Sequence, residues 1–151
     1  MVLSPGDVVI DCGANVGEVG LHLKSRADIR LIAVEPSVSE ADACDHNLFD
    51  GHPNTLRRAL WHSVGQQTFY DSNVTGDSSL IPPASTHENV TNIETTTLQQ
   101  LVTEQEIDLI KLLKIEGEGA EPEILAGGAE IMSRVSYCTV DCGPERGLSQ
   151  A

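Results

Sequence analysis

The stretch Val-Ile-Asp-Cys-Gly-Ala-Asn-Val-Gly, residues 9–17, decides the fold because a strand pattern changes into a helix pattern inside it. Residues 7–13 form a short, mostly apolar run that ends at glycine, which is typical of a buried strand. Residues 16–26 carry apolar side chains at loosely helical spacing, so a helix follows. Gly13 and Gly17 favour a tight turn in which the backbone approaches a ligand without interference from a Cβ atom. The stretch therefore predicts a strand, a turn open to a ligand, and a helix.

The rest of the chain continues this alternation of short apolar strands and helical segments. Further strands are predicted over residues 30–35, 55–61, 108–115 and 135–142, with a short edge strand at 68–70. Further helices are predicted over residues 38–49, 97–105 and 122–132, and a loop rich in Ser, Asn, Gly and Pro over 71–89. Strands that alternate with helices favour right-handed crossovers and a parallel sheet. The predicted fold class is α/β, with a doubly wound, mostly parallel sheet in a single domain.

Composition and charge exclude several kinds of partner. Of the 151 residues, 23 are acidic and 9 are basic, which gives a formal net charge of −14. Nucleic acids and anionic membranes attract surfaces rich in Lys and Arg, so neither is expected as a partner. No apolar stretch approaches the roughly 20 residues of a membrane helix, and no signal peptide is predicted. The four cysteines contain no CxxC pair, which favours free thiols and a cytoplasmic protein.

Glu35 is the second element of the predicted site. It ends the second predicted strand, about 20 residues after Gly13, where the strands of a doubly wound sheet face a crevice. A carboxylate at this position accepts hydrogen bonds from both ribose hydroxyls, so the turn and Glu35 together indicate a nucleoside site. Asn15 stands where the dinucleotide fingerprint G-x-G-x-x-G has its middle glycine. The site is therefore expected to prefer S-adenosylmethionine over NAD.

Three segments make the sequence resemble the FkbM family of S-adenosylmethionine-dependent methyltransferases. Residues 9–17 are similar to the family's first motif, and residues 33–37, Ala-Val-Glu-Pro-Ser, to its second. The most family-specific segment is residues 107–121, which are similar to the family's run of Lys-Ile-Asp followed by Glu-Gly-Ala-Glu. The resemblance covers about residues 7–147 and implies a Rossmann-like class I methyltransferase domain over residues 1–151. Such domains usually have seven strands, so the last strands are expected to be missing through C-terminal truncation.

The resemblance also implies an activity and a set of cofactor residues. It implies an O-methyltransferase that acts on a small-molecule hydroxyl acceptor, such as a sugar or a polyketide-like compound. The methionine part of the cofactor is expected at the first turn, the ribose on Glu35 and the adenine near the third predicted strand. The residues implied in cofactor binding are Asp11, Gly13, Ala14, Asn15, Gly17, Glu35, Ala59 and Leu60.

Three charged residues at the end of the fourth predicted strand are the candidates for catalysis: Lys114, Glu116 and Glu118. Methyl transfer from a sulfonium is an in-line displacement, so the protein mainly aligns the reactants and removes the proton of the acceptor. Glu116 or Glu118 is predicted to take that proton or to hold a sugar hydroxyl, and Lys114 to stabilise the developing oxyanion. A purely structural pairing of these charges stays open. A magnesium site that includes Asp141 is disfavoured because nothing fixes its geometry, and no metal is predicted.

Two other functions stay open at this stage. A truncated domain that binds the nucleoside without catalysis would agree with the missing final strands. An NAD-dependent oxidoreductase is disfavoured because Asn15 interrupts the glycine fingerprint.

Overall fold

In the computed structural model, residues 1–71, 78–82 and 89–142 are described, and they alternate between strands and helices. The strands are β1 (Val8–Cys12), β2 (Arg30–Val34), β3 (Ala59–Leu60), β4 (Gly65–Asp71), β5 (Asn89–Thr96), β6 (Ile110–Ile115) and β7 (Val135–Val140). The helices are α1 (Glu18–Lys24), α2 (Val38–Phe49), α3 (Leu98–Glu104) and α4 (Glu121–Ala126), and a 3₁₀ helix covers Ala129–Arg134.

The main sheet consists of four parallel strands in the order β2-β1-β6-β7. Successive side chains of β1 point to opposite faces, so Val9 packs in one core with α1 and α2. Ile10 and Cys12 pack in a second core with α3 and α4. Helices on both faces of a parallel sheet define the doubly wound, Rossmann-like α/β fold that the sequence predicts, so that prediction is confirmed.

A second sheet, in the order β3-β5-β4, corrects two of the predictions. The strand predicted over 55–61 is wrong in extent, because the chain touches β2 by a single bridge at Leu56 and turns before it enters β3. β5 was not predicted, because most of its side chains are exposed and its apolar residues do not alternate. Its richness in Val, Thr and Ile is the signal that favours a strand. Residues 72–77 and 83–88 of the predicted loop lie outside the described residues.

The helix predicted over 122–132 is wrong in its second half. It ends at Ala126, and the 3₁₀ helix begins after Gly127 and Gly128. A Cβ on Gly127 would lie 2.2 Å from the carbonyl oxygen of Trp61, and one on Gly128 would lie 2.6 Å from Leu98 Cδ2. The two glycines therefore allow this segment to pack closely on β3 and α3, which an unbroken helix with larger side chains would prevent.

The connection between α2 and β3 is fixed by the carboxylate of Asp45. This buried group accepts hydrogen bonds from the backbone N–H groups of Asn54 and Thr55, from the Thr55 hydroxyl and from the Arg57 guanidinium. Burial alone would raise the pKa of Asp45, but the hydrogen bonds lower it to about 2.

We expect the free energy of unfolding to fall as the pH is lowered from about 4 towards 2, because the unfolded chain binds a proton at Asp45 in this range while the folded chain keeps the carboxylate charged. An aspartate with a lowered pKa in the folded state stabilises the fold fully above its unfolded pKa and stops doing so as the pH falls through the folded value. Asp45→Asn should cost roughly 2 kcal/mol at pH 7 and flatten this pH dependence, as measured by urea unfolding. The control is Asp42→Asn, which removes an exposed partner of the same Arg57 and should cost about 0.5 kcal/mol or less. Equal losses of unfolding free energy in the two variants would contradict the conclusion that the buried Asp45 carboxylate stabilises the fold.

Candidate functional site

The turn between β1 and α1 joins the ends of three neighbouring strands. Gly13 has a φ of +72°, and a Cβ at this position would lie 1.9 Å from the carbonyl oxygen of Glu116. The N–H of Glu116 donates to the carbonyl of Cys12 at 3.1 Å. The N–H groups of Gly13 and Ala14 both donate to the carbonyl of Val34, at 3.0 and 3.1 Å. The end of β1 is therefore bound to β6 on one side and to β2 on the other, and the close contact with β6 admits only glycine.

The second half of the turn uses two more residues in the left-handed region. Asn15 has a φ of +48°, and its side-chain oxygen accepts a hydrogen bond from the N–H of Val16 at 2.7 Å. Gly17 precedes α1 with a φ of +88°, and a Cβ there would lie 2.8 Å from Leu48 Cδ1. Asparagine tolerates the left-handed region better than other residues with a Cβ. The residue that interrupts the glycine fingerprint is thus compatible with a tight turn.

Glu35 closes the turn from the side of β2. Its Oε2 accepts a hydrogen bond from the N–H of Asn15 at 2.9 Å, and its Oε1 accepts one from the N–H of Ser37 at 2.9 Å. Burial raises the pKa of Glu35, although both backbone hydrogen bonds act in the opposite direction. The residue is only 7% exposed, and each oxygen keeps a further acceptor position beyond these two bonds.

Two clefts meet at Gly13 and Glu116, which line both of them. The first, which we name the apolar cleft, has walls that include Glu35, Ala59, Leu60 and Phe69. The second, which we name the acidic cleft, has walls that include Ala14, Asn15, Glu18, Lys114 and Glu118. Most of the residues predicted from the sequence therefore lie on one of two adjoining clefts.

Two of the predicted cofactor residues line neither cleft. Asp11 is completely buried, and Gly17 packs against α2. Conversely, Phe69 lines the apolar cleft but was not among the predicted residues. A lone buried phenylalanine in an otherwise polar edge strand is the signal that marks it.

Lys114 is surrounded by three oxygen atoms. Its Nζ lies 2.8 Å from Glu116 Oε2 and 3.1 Å from Asp11 Oδ1, and it donates a hydrogen bond to the carbonyl of Gly13 at 2.5 Å. Burial alone would lower the pKa of Lys114, but the two carboxylates raise it, so the group is charged at neutral pH. The contact with Asp11 is an ion pair without the alignment of a hydrogen bond. The ammonium thus combines one hydrogen bond, to the carbonyl of Gly13, with two ion pairs, to Asp11 and Glu116.

The segment that follows β6 turns away from the strand direction. Glu121 Oε1 accepts hydrogen bonds from the N–H groups of Gly117 and Gly119, at 2.8 and 3.2 Å. Glu118 has a φ of +48°, and its carbonyl accepts a hydrogen bond from the Ser79 hydroxyl at 2.6 Å. Glu118 therefore reaches the acidic cleft through this turn and not as a residue of an extended strand.

The described residues contain no metal-binding cluster, no disulfide and no helix that could span a membrane. Within residues 1–71, 78–82 and 89–142, no three His, Cys, Asp or Glu side chains come together as a metal site requires. The magnesium interpretation of Glu116, Glu118 and Asp141 therefore gains no support. All four cysteines are free thiols, as predicted. In the same ranges, no helix has the length and apolar character needed to cross a bilayer.

Sequence comparison finds relatives that are methyltransferases. A sequence model of the Methyltransferase FkbM domain matches residues 11–143. The 2-O-methyltransferase NoeI of Sinorhizobium fredii is 26% identical over 152 residues, which cover 88% of this chain and 62% of NoeI. The hexuronic acid methyltransferase AglP of Haloferax volcanii is 28% identical over 138 residues, which cover 89% of this chain and 55% of AglP. The chain therefore spans between about half and two thirds of the length of these curated relatives.

A solved structure agrees with the fold. The crystal structure of methyltransferase FkbM from Methylobacillus flagellatus KT superposes with a TM-score of 0.58. The match covers 91% of this chain and 34% of that one, at 15% sequence identity. At this identity the likeness supports the fold alone.

Proposed function

Since the chain belongs to the FkbM methyltransferase family, we propose that it is an O-methyltransferase that uses S-adenosylmethionine and acts on a sugar hydroxyl. NoeI is a 2-O-methyltransferase and AglP a hexuronic acid methyltransferase, which supports a small hydroxyl acceptor and a sugar as its class. The observation that carries the proposal is the Gly13 turn braced by Glu35 at the junction of two clefts.

The two clefts fit the parts of this cofactor. Glu35 presents buried carboxylate oxygens beside the apolar cleft, which suits the two ribose hydroxyls. Ala59, Leu60 and Phe69 supply apolar surface for an adenine ring. The carboxylates of the acidic cleft suit the positive charges of a methionine sulfonium and its amino group. We therefore assign the nucleoside to the apolar cleft and the methionine part to the acidic cleft.

When bound, S-adenosylmethionine supplies an electrophilic methyl group, which an acceptor hydroxyl attacks in line. The protein must hold that hydroxyl and take its proton. Glu116 and Glu118 both line the acidic cleft, and either carboxylate can serve as the proton acceptor. The oxyanion role predicted for Lys114 requires the ammonium to give up one of its three oxygen partners.

Replacing each candidate base by its amide separates their roles. We expect Glu116→Gln or Glu118→Gln to lower kcat by roughly 100-fold or more, because general base catalysis contributes on that order. The affinity for S-adenosylhomocysteine, measured by calorimetry, should fall by a much smaller factor than kcat for the same variant, since the lost step is proton removal. If neither variant lowered kcat by more than about tenfold, Glu116 and Glu118 would both be excluded as the base.

The activity itself is tested with S-adenosylmethionine labelled in its methyl group and a panel of neutral and acidic sugars. Transfer of the label to a hydroxyl oxygen is the expected result. Binding of S-adenosylhomocysteine without transfer to any acceptor would favour the non-catalytic nucleoside-binding domain. Binding of NAD in place of S-adenosylhomocysteine would favour the oxidoreductase.

Three further predictions remain proposals. We propose that residues 1–151 belong to a single methyltransferase domain. A cytoplasmic location is proposed from the free cysteines. The net charge of −14 supports the absence of nucleic acid and membrane partners.

A further inference from the structure

We propose that Asp11 and Lys114 are positioning residues that hold the Gly13 turn in the conformation that binds the cofactor. This inference rests on the proposed function, because it concerns the same site. Neither residue needs to touch the reacting atoms for this role.

The sheet register brings the two residues together. Asp11 on β1 pairs with Lys114 on β6, and paired residues of parallel strands point to the same face of the sheet. The Lys114 side chain is only 12% exposed, and its Nζ reaches past Asp11 to the carbonyl of Gly13 at 2.5 Å. The ammonium therefore connects the middle of β1 to the turn at its end.

This contact fixes the peptide between Gly13 and Ala14 at both ends. Its carbonyl oxygen accepts from Lys114, and its N–H donates to the carbonyl of Val34 at 3.1 Å. With this peptide plane fixed, the next N–H, that of Asn15, points to Glu35 Oε2 at 2.9 Å. The hydrogen bond from Lys114 to Gly13 thus helps to direct the N–H of Asn15 towards Glu35, the carboxylate that we assign to the ribose.

Asp11 explains why Lys114 stays in place. Asp11 is fully buried, and its Oδ2 meets no hydrogen-bond donor in the described part of the chain. A buried carboxylate with so few donors depends on the nearby positive charge, so movement of Lys114 towards an acceptor would leave the Asp11 charge uncompensated. The pair is therefore better suited to hold the turn than to follow a reacting oxygen.

The test replaces both charges at once, because a single replacement leaves the other charge buried and unpaired. In Asp11→Asn with Lys114→Met, we expect the Kd for S-adenosylhomocysteine to rise by roughly tenfold or more, as measured by calorimetry. The melting temperature should change little, since the double replacement leaves no buried charge unpaired. The matched control is Asp7→Asn with Lys111→Met, an ion pair of 3.9 Å at the opposite end of the same strands. The control should leave the Kd within about twofold of wild type.

Lys114→Arg is a second variant that keeps the charge next to Asp11, in case the double replacement does not fold. A planar guanidinium cannot place its donors around one nitrogen as an ammonium does, so we expect a Kd raised about threefold or more. An unchanged Kd with a reduced kcat would overturn the inference and assign Lys114 to the reaction itself.

Two negative outcomes are distinguishable. If wild type and the double variant bind S-adenosylhomocysteine equally, the inference fails while the proposed function stands. If the wild-type chain does not bind it, the proposed function fails and the inference fails with it.

Discussion

Gly13→Ala is expected to abolish detectable binding of S-adenosylhomocysteine and to lower the free energy of unfolding by roughly 3 kcal/mol or more. Two costs add at this position. The φ of +72° is unfavourable for alanine, and its Cβ would lie 1.9 Å from the backbone oxygen of Glu116. A backbone atom cannot move aside as the end of a flexible side chain can. The strand ends must therefore separate, which displaces the N–H groups of the turn. Calorimetric titration and urea unfolding measure the two effects.

Gly51→Ala provides the matched control for this variant. Gly51 has a similar φ of +79°, but a Cβ there would meet no atom within 4 Å. It should therefore cost only the conformational strain, about 1 kcal/mol, and leave cofactor binding unchanged. Similar losses of stability for the two variants would show that the contact with Glu116 does not matter.

Glu35→Ala is expected to weaken the binding of S-adenosylhomocysteine by roughly 100-fold or more. The variant removes the acceptors proposed for the two ribose hydroxyls and leaves the N–H groups of Asn15 and Ser37 without their side-chain partner. Calorimetry measures the loss, and the melting temperature shows whether the fold persists.

Glu40→Ala is the control for the loss of a carboxylate near the same strand end. Glu40 lies at the start of α2, accepts hydrogen bonds from the hydroxyls of Ser37 and Ser39, and lines neither cleft. It should bind S-adenosylhomocysteine with nearly wild-type affinity. Unchanged affinity in Glu35→Ala itself would exclude Glu35 as the ribose ligand.

The meeting of the first turn with Glu35 could be predicted from the sequence because its signals are local. Gly13 ends an apolar strand, and Glu35 ends the next one, so the parallel order of β1 and β2 brings them together. The structural tolerance of Asn15 for the left-handed region was not foreseen, since the fingerprint treats the position only as a missing glycine. What matters for this turn is that residue 15 can adopt the left-handed conformation, which asparagine does without being a glycine.

The environment of Lys114 could not be predicted, because it depends on register between strands that are far apart in sequence. The pairing of Asp11 with Lys114 follows from how β6 aligns beside β1. The conformation at Glu118 could not be predicted either, because β6 ends at Ile115 and Glu118 itself lies in the left-handed region. In the small sheet, only β5 was missed, and for a different reason. β5 is largely exposed, so the apolar periodicity that marks the buried strands is absent from it.

A crystal structure of the chain with S-adenosylhomocysteine tests most directly whether the Gly13 turn and Glu35 form the cofactor site. We expect both ribose hydroxyls to lie within hydrogen-bond distance of the Glu35 carboxylate, with the adenine in the apolar cleft. The methionine part should extend past Gly13 into the acidic cleft. A ligand bound elsewhere, or one whose ribose does not contact Glu35, would contradict the assignment.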